Sequence, residues 1–130
     1  SDYSDHIKLN ESEENELVHM PGGPLIMRRA INAMIDAAKV VLEKNNLKKD
    51  DINWLIPHQA NYRIIEDVAK ELGLFEKMLV TIRDEGNISG GSIPRTLDKY
   101  AGEGKIKRGD MILMTAIGGG YSFGAAVVKY

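Results

Sequence analysis

The sequence predicts an α/β fold built on a mostly parallel sheet with helices on both faces. Short, continuously apolar runs of the kind found in buried strands alternate along the chain with longer amphipathic runs of the kind found in helices. Such alternation indicates parallel strands joined by right-handed crossovers. Only a few residues separate the last two apolar runs, so the final strand must run antiparallel to its neighbour. The expected strands are residues 52–56, 78–82, 111–117 and 123–129.

Size and composition point to a single globular domain and exclude several classes of function. The 130 residues can bury a sizeable core, and the apolar fraction of 43% and charged fraction of 28% are ordinary. A net charge of −2 argues against nucleic acid or an acidic membrane as a partner, and no apolar run approaches the roughly 18 residues of a membrane span. The absence of cysteine removes disulfides, thiolate metal sites and cysteine nucleophiles. The acidic N-terminus is unlike a signal peptide, and we expect a cytoplasmic location.

The N-terminal part divides into an irregular segment and a long helix. Residues 1–20 are acidic and weakly patterned, so we expect a mostly irregular segment with one short strand at residues 6–9. The folded domain is expected from residue 21 onward, where a turn cluster ends at Pro24, a residue suited to a first helical turn. A helix is predicted for residues 25–44, because apolar residues recur there at intervals of three and four: Ile26, Ala30, Ala33, Met34, Ala37, Val40 and Val41.

The other two helices each follow a strand. The first strand ends at Pro57, which has no N–H to donate, and the amphipathic run at residues 62–72 predicts a helix that Gly73 is placed to terminate. The second strand leads into a glycine-rich polar loop at residues 83–91. A third helix is expected to begin near Ser92, acting as its cap.

Three predicted loops carry residues that could do chemistry. His58, Asn87 and the triple glycine at 118–120 each follow a parallel strand, and the carboxyl ends of parallel strands lie along one edge of a sheet. The loops can therefore converge on one pocket. A neutral imidazole and a carboxamide each offer an N–H donor, and two donors aimed at one point form an oxyanion hole, which stabilises a transition state by roughly 3–4 kcal/mol per donor. Neighbouring glycines allow the backbone to approach a substrate closely.

Each of these residues also has a structural interpretation that the pattern leaves open. A histidine after a strand often serves as a hydrogen-bonding partner in the core, and Asn87 beside Gly86 is typical of an ordinary turn. The run 118–120 fits a simple hairpin turn, and it is no dinucleotide-binding fingerprint because a strand follows it. Basic residues on the helices are by default solvated side chains: Arg28, Arg29, Arg63 and Lys70.

Three sequence motifs follow one another along the chain. Residues 51–65, which include DINWLIPHQAN and RII, resemble the histidine motif of the β-ketoacyl-acyl-carrier-protein synthase III family. Residues 86–98, which include GNIS and SIP, resemble its asparagine motif, and GGGYSFGAA at 118–126 resembles its C-terminal hairpin. The match runs in order from about His19 to Tyr130 and covers only the C-terminal half of such an enzyme.

The resemblance implies a thiolase-like half-domain and a decarboxylative Claisen condensation in fatty-acid synthesis. In the family, an acyl group from acyl-CoA is first carried on a cysteine of the N-terminal half. Malonyl-ACP then loses CO₂, and its carbanion attacks the acyl thioester. His58 and Asn87 match the family residues that stabilise the enolate oxygen. The substrate pocket is then expected to be lined by Gln59, Asn61, Gly119, Gly120 and Tyr121.

The resemblance also implies partners. The family docks acyl carrier protein through basic residues near the tunnel mouth, and the matching positions here are Arg63, Lys70 and Arg28. The expected partners are thus acyl carrier protein, acyl-CoA substrates and the N-terminal half of the same enzyme, in a homo-oligomer. Neither a cofactor nor a metal is implied.

The sequence departs from the family pattern at several points. Without the cysteine, the chain is expected to be inactive in condensation by itself. Tyr121 replaces a phenylalanine that is common in the family, and this change is expected to alter how the acyl group fits. Glu71 replaces a residue that is frequently basic, and this change is expected to alter carrier docking. The family's half-domain has a strand ahead of the long helix, and residues 1–20 offer no good equivalent. We therefore expect a sheet that is incomplete or completed by another copy.

The resemblance leaves two other functions open. One is a superfamily relative that condenses other acyl groups in secondary metabolism. The other is a non-catalytic thiolase-like subunit that binds acyl carriers. The primer acyl chain is not predicted, because the residues that bound its tunnel lie partly in the N-terminal half.

Overall fold

A computed structural model describes the backbone of residues 8–9, 18–19 and 23–130 and the side chains of residues 23–120 and 122–130. Most of the segment predicted to be irregular, residues 1–20, lies outside the described part, as do two residues of the strand expected at 6–9. The helices and strands are β1 (Lys8–Leu9), β2 (Val18–His19), α1 (Gly23–Lys44), β3 (Trp54–Pro57), α2 (Tyr62–Glu71), α3 (Ile82–Glu85), α4 (Ser92–Gly102), β4 (Met111–Gly118) and β5 (Ser122–Lys129).

The main sheet has three strands in the order β3-β4-β5, while β1 and β2 form a separate antiparallel pair. β3 runs parallel to β4, from Trp54 opposite Ile112 to Pro57 opposite Thr115. β5 runs antiparallel to β4 along its whole length. The predicted mixed sheet with an antiparallel last strand is confirmed. The expectation that the sheet is incomplete, or completed by another copy, stays a prediction.

The prediction of a strand at residues 78–82 is wrong, apart from one residue pair that joins β3. Met78 forms an isolated parallel bridge with Leu55, and the Leu79 N–H donates to the Leu55 carbonyl at 2.9 Å. Past that point the N–H groups of Thr81 and Ile82 donate to a side chain, the Oε1 of Gln59, at 2.9 and 3.2 Å. Because these donors leave the strand ladder, the chain coils into α3, and the loop predicted at 83–91 begins with helical residues.

Helices cover both faces of the sheet, as the continuous apolar strands predict. Leu55 and Leu113 are fully buried against α1 and α2, whereas the adjacent Ile56 and Ile112 are fully buried on the α4 side. Successive strand residues point to opposite faces, so strands that are apolar at every position need a helix on each side. This arrangement gives two core clusters separated by the sheet.

The helix ends form largely as the local sequence predicts. α1 spans the predicted run and ends before Asn46, which adopts a left-handed φ of 52°. α2 ends before Gly73, with a φ of 70° that glycine adopts without strain. Among the described residues, no helix is long and apolar enough to cross a membrane.

Candidate active site

The candidate site lies at the carboxyl-end edge of the sheet. β3 and β4 are parallel, so the turn after β3 and the hairpin after β4 emerge at the same edge. Pro57 is the last residue of β3, and the next N–H, that of His58, donates to the Thr115 carbonyl at 2.8 Å. The backbone of His58 is therefore anchored to β4 despite the missing donor of the proline.

Gln59 holds this turn from within. Its side chain is 0% exposed, and its Nε2 donates to the carbonyls of Pro57 at 2.7 Å and Leu79 at 3.4 Å. Its Oε1 accepts from two backbone N–H groups of the chain that follows Leu79. The expectation that Gln59 lines a substrate pocket needs correction: the structure places this amide in the interior, where it takes the place of strand-to-strand hydrogen bonds.

Asn61 ends the turn by capping α2. Its Oδ1 accepts from the Ile64 N–H at 2.9 Å, in the standard arrangement of a helix N-cap. The side chain is partly exposed. The pocket role predicted for Asn61 stays a prediction, and in the structure the side chain serves the helix end.

His58 is partly buried between this turn and α4. Burial lowers the pKa of its imidazole below the ordinary value of 6.5, so the ring is neutral at physiological pH. A neutral imidazole has one N–H and one acceptor nitrogen, and its hydrogen-bond partner decides which is which. The Nδ1 atom lies 3.1 Å from the Ser92 hydroxyl.

Ser92 does not have the role of helix cap that its place in the sequence predicts. It is the first residue of α4 rather than its cap, which is Gly91. Its side chain is 1% exposed, and Oγ contacts the Ser89 carbonyl at 2.9 Å, the Gln59 N–H at 3.3 Å and His58. A serine at the start of a helix suggests a cap from sequence alone, so no local signal could have revealed these contacts across the chain.

Asn87 lies in an exposed loop that contacts the His58 turn. Its Oδ1 accepts from the Ser89 N–H at 2.9 Å, and its Nδ2 donates to the Ala60 carbonyl at 3.4 Å. In α3, which precedes this loop, the Arg83 guanidinium lies over the ring of Tyr62, 4.1 Å from its centroid. The structure thus brings the two predicted loops together, through Asn87 to Ala60 and through Ser92 to His58.

The third predicted loop closes the hairpin between β4 and β5. Residues Gly119–Tyr121 form a single 3-10 turn, and Gly120 adopts a φ of 72°, which favours glycine. Gly119 and Gly120 are exposed at the same sheet edge as His58. The side chain of Tyr121 is outside the described part, so its predicted pocket role stays a prediction.

Of the three basic residues predicted to dock a carrier, two are in ion pairs. Arg28 on α1 pairs with Glu71 at the end of α2 at 2.8 Å, and Lys70 pairs with Glu66 at 2.9 Å. The hydrogen bond that Lys70 donates to the Glu66 carboxylate raises the pKa of Lys70. Arg63 is exposed on α2 and makes no ion pair within residues 23–130. Across the same residues, no group of three or more histidine, aspartate or glutamate side chains could hold a metal.

Comparison with known proteins connects this site to one family. Residues 42–130 match the family described as 3-oxoacyl-[acyl-carrier-protein (ACP)] synthase III C terminal. The chain is 42% identical over 120 residues to the β-ketoacyl-[acyl-carrier-protein] synthase III of Methylococcus capsulatus, covering 92% of this chain and 37% of that protein. It is 45% identical over 133 residues to the Coxiella burnetii enzyme of the same name, covering 98% and 41%.

Solved structures of the same kind share the fold. The Aquifex aeolicus 3-oxoacyl-[acyl-carrier-protein] synthase III superposes with a TM-score of 0.85 at 39% identity, covering 99% of this chain and 42% of that one. The Thermus thermophilus structure gives a TM-score of 0.84 at 30% identity, with 97% and 42% covered. The chain spans about two fifths of the length of the curated relatives it matches.

Proposed function

This chain belongs to the 3-oxoacyl-[acyl-carrier-protein] synthase III family, as its C-terminal region with a thiolase-like fold, and from that premise we propose a specific catalytic role for it. It supplies the donor half of a decarboxylative Claisen condensation between an acyl-CoA primer and malonyl-ACP. The N-terminal half supplies the cysteine that carries the acyl group, because this chain has none. The proposal implies that the complete enzyme is cytoplasmic and acts in fatty-acid synthesis.

The observation that carries the proposal is the contact between the His58 turn and the Asn87 loop at one sheet edge. Both loops bring an N–H-bearing side chain to that edge, and the contacts through Ser92 and Ala60 join them. Burial keeps the imidazole neutral, and a neutral ring can donate one N–H without placing a cation beside the malonyl carboxylate.

The chemistry needs donors where negative charge develops. When the bond between the malonyl carboxylate and its α-carbon breaks, CO₂ leaves and the electron pair moves onto the thioester oxygen as an enolate. Two N–H groups directed at that oxygen stabilise it by roughly 3–4 kcal/mol each. The α-carbon then attacks the acyl thioester, and its thiolate leaves. Each donor matters most in the transition state, where the oxygen charge is greatest.

The Asn87 amide can contribute although it already has a partner. The Nδ2 atom carries two hydrogens, and the long contact to the Ala60 carbonyl at 3.4 Å uses one of them. The other is free to meet the enolate oxygen, while Oδ1 keeps the amide oriented through its bond to Ser89. The glycines at 119 and 120 flank the same edge and leave room for a thioester.

The test is decarboxylation of malonyl-ACP by a fusion that joins this chain to the N-terminal half of the Coxiella burnetii synthase III. We expect His58→Ala and Asn87→Ala each to lower the rate by about 10²–10³-fold, since each removes one oxyanion donor. Asn45→Ala is the matched control, because Asn45 is an exposed amide at the end of α1.

The parent fusion must first show decarboxylation, so that a failed fusion is not confused with a failed proposal. Full activity in both the His58 and Asn87 variants would contradict the donor roles. The fusion could also decarboxylate malonyl-ACP without either donor and still bind acyl carrier protein. That result would instead favour a non-catalytic, carrier-binding role for this chain.

Carrier docking through α2 is a second part of the proposal. Arg63 is the leading docking residue, because Arg28 and Lys70 are already neutralised by Glu71 and Glu66. Arg63→Glu should raise the KM for malonyl-ACP while leaving the reaction with malonyl-CoA unchanged. Lys107→Glu, before β4 at the opposite sheet edge, is the charge-matched control. An equal loss on both substrates would argue against docking.

A further inference from the structure

We propose that Arg83, held over the ring of Tyr62, forms an anion site beside the candidate active site and binds the phosphate of a pantetheine arm. The choice of ligand rests on the proposed function, because the carrier-bound and the CoA-bound substrates of that reaction both hold their thioester on such an arm. Arg83 is not among the basic residues expected to dock a carrier. The proposed contact is with the arm that both substrates share, and not with the carrier protein.

The pair joins two helices that begin at the turn of residues 57–61. Tyr62 is the first residue of α2 and directly follows this turn. The N–H of Ile82, the first residue of α3, donates to the Gln59 side chain within the turn at 3.2 Å. Arg83 comes next, and its guanidinium carbon lies 4.1 Å from the centre of the Tyr62 ring. A cation at this distance is attracted to the ring face, so the ring holds the arginine beside the turn.

The Arg83 guanidinium keeps its hydrogen-bonding capacity for a ligand. Among the side chains described for residues 23–130, it forms no ion pair and donates no hydrogen bond. The two acidic residues that follow it each pair with a different cation, Asp84 with Lys99 at 3.0 Å and Glu85 with Arg95 at 2.9 Å. An arginine stacked on an aromatic ring still presents N–H groups in the fork that matches a phosphate. The local carboxylates are therefore neutralised, while one positive charge is held in place.

The stack lies within reach of the proposed donors. Arg83 is four residues before Asn87, and Tyr62 is four residues after His58, so neither pair of Cα atoms can be more than about 14 Å apart. A pantetheine arm carries the thioester at one end and the phosphate at the other. With the thioester at the donors, the phosphate must bind outside them. Arg83 is exposed, so it can meet the phosphate there.

Binding of 4′-phosphopantetheine to the 130-residue chain tests the site without any catalysis. We expect it to bind about tenfold more tightly than pantetheine, which lacks the phosphate, in NMR titrations at about 50 mM salt. Arg83→Met should abolish this preference, whereas Arg108→Met should keep it. Arg108 is the matched control, because its guanidinium lies 4.5 Å from the centre of the Tyr130 ring and precedes β4, at the opposite edge of the sheet.

Two further variants test the ring. Tyr62→Phe keeps the aromatic face and should keep the preference for the phosphorylated compound, whereas Tyr62→Leu removes the face and should weaken it. A wild-type chain that shows no preference for 4′-phosphopantetheine would overturn the proposal. A preference that survives Arg83→Met would do so as well.

Kinetics of the fusion separate the arm from the carrier protein. Arg83→Met should raise the KM for malonyl-ACP and malonyl-CoA alike by about tenfold at unchanged kcat, and it should leave malonyl-pantetheine unaffected. A rise confined to malonyl-ACP would overturn the proposal, because that is the result expected for Arg63. The binding titration needs no donors, so dispensable His58 and Asn87 would not change its outcome. Failed phosphate binding would likewise leave the rate effects of the donor variants untouched.

Discussion

The His58 turn, residues 57–61, and the Asn87 loop, residues 86–91, reach the same edge of the sheet but are held in different ways. The turn is tied by a fully buried glutamine, a helix cap and a backbone bond to β4. In the loop every residue is exposed, and the Asn87 side chain makes one short local bond and one long bond. Folding therefore fixes the imidazole, whereas the amide keeps a weakly held position that a bound substrate can complete.

The largest effect is expected in the His58 turn, which is held by the buried Gln59 side chain. Gln59→Met keeps the length of the side chain but removes every hydrogen bond of the amide, so the buried backbone groups of Pro57, Leu79 and Thr81 lose a partner. We expect the free energy of unfolding to fall by about 3–5 kcal/mol, measured by urea denaturation at 25 °C.

Asn45→Met is the control, because that amide is exposed and bonds only to the Val41 carbonyl one helical turn back. It should change stability by less than about 0.5 kcal/mol. A similarly small effect of Gln59→Met would mean that the turn does not depend on its buried amide.

The next largest effect on the free energy of unfolding is expected at Asn61, the cap of α2. Asn61→Ala removes the acceptor of the Ile64 N–H and should lower the free energy of unfolding by about 1 kcal/mol. Asn61→Asp keeps an acceptor at the helix N-terminus and should retain wild-type stability. Equal losses in the two variants would show that Asn61 contributes through something other than its cap.

The pH dependence of stability reports on the burial of His58. Burial lowers the pKa of the folded imidazole below 6.5, so the unfolded chain takes up a proton first as the pH falls. The stability that the neutral imidazole contributes is fully present when the pH lies above the pKa of the unfolded chain. It is lost as the pH falls toward the pKa of the folded protein. Urea midpoints at about pH 7.5 and 5.5 should therefore differ more in wild type than in His58→Gln. Parallel changes in the two proteins would contradict a buried, destabilised imidazolium.

The smallest effect on stability is expected in the exposed loop. Asn87→Ala removes a local bond to the Ser89 N–H and a 3.4 Å contact, both at the surface, and should cost less than about 0.5 kcal/mol. The same variant should lose most of its decarboxylation in the fusion. A loss of stability comparable to that of Asn61→Ala would mean that the loop is as firmly held as the turn.

Local patterns were enough to predict most elements of the fold. α1, α2, β4 and β5 lie close to where apolar periodicity, Gly73 and the triple glycine place them. The segment 78–82 was predicted as a strand because it is continuously apolar, but apolar character says only that a segment is buried. Whether its N–H groups meet a neighbouring strand or a side chain depends on where Gln59 lies, and no residue within 78–82 carries that information.

By itself, the sequence determined the helices α1, α2 and α4, the strands β3, β4 and β5, and the faces that those strands bury. Only the tertiary structure decided that Gln59 is buried, that Asn61 is a cap and that Ser92 contacts His58. The physical reason is distance along the chain: helix and strand periods repeat over a few residues, whereas the contacts of Gln59 with Leu79 and of Ser92 with His58 join residues 20 and 34 positions apart. Such contacts form only when the packed core brings those segments together.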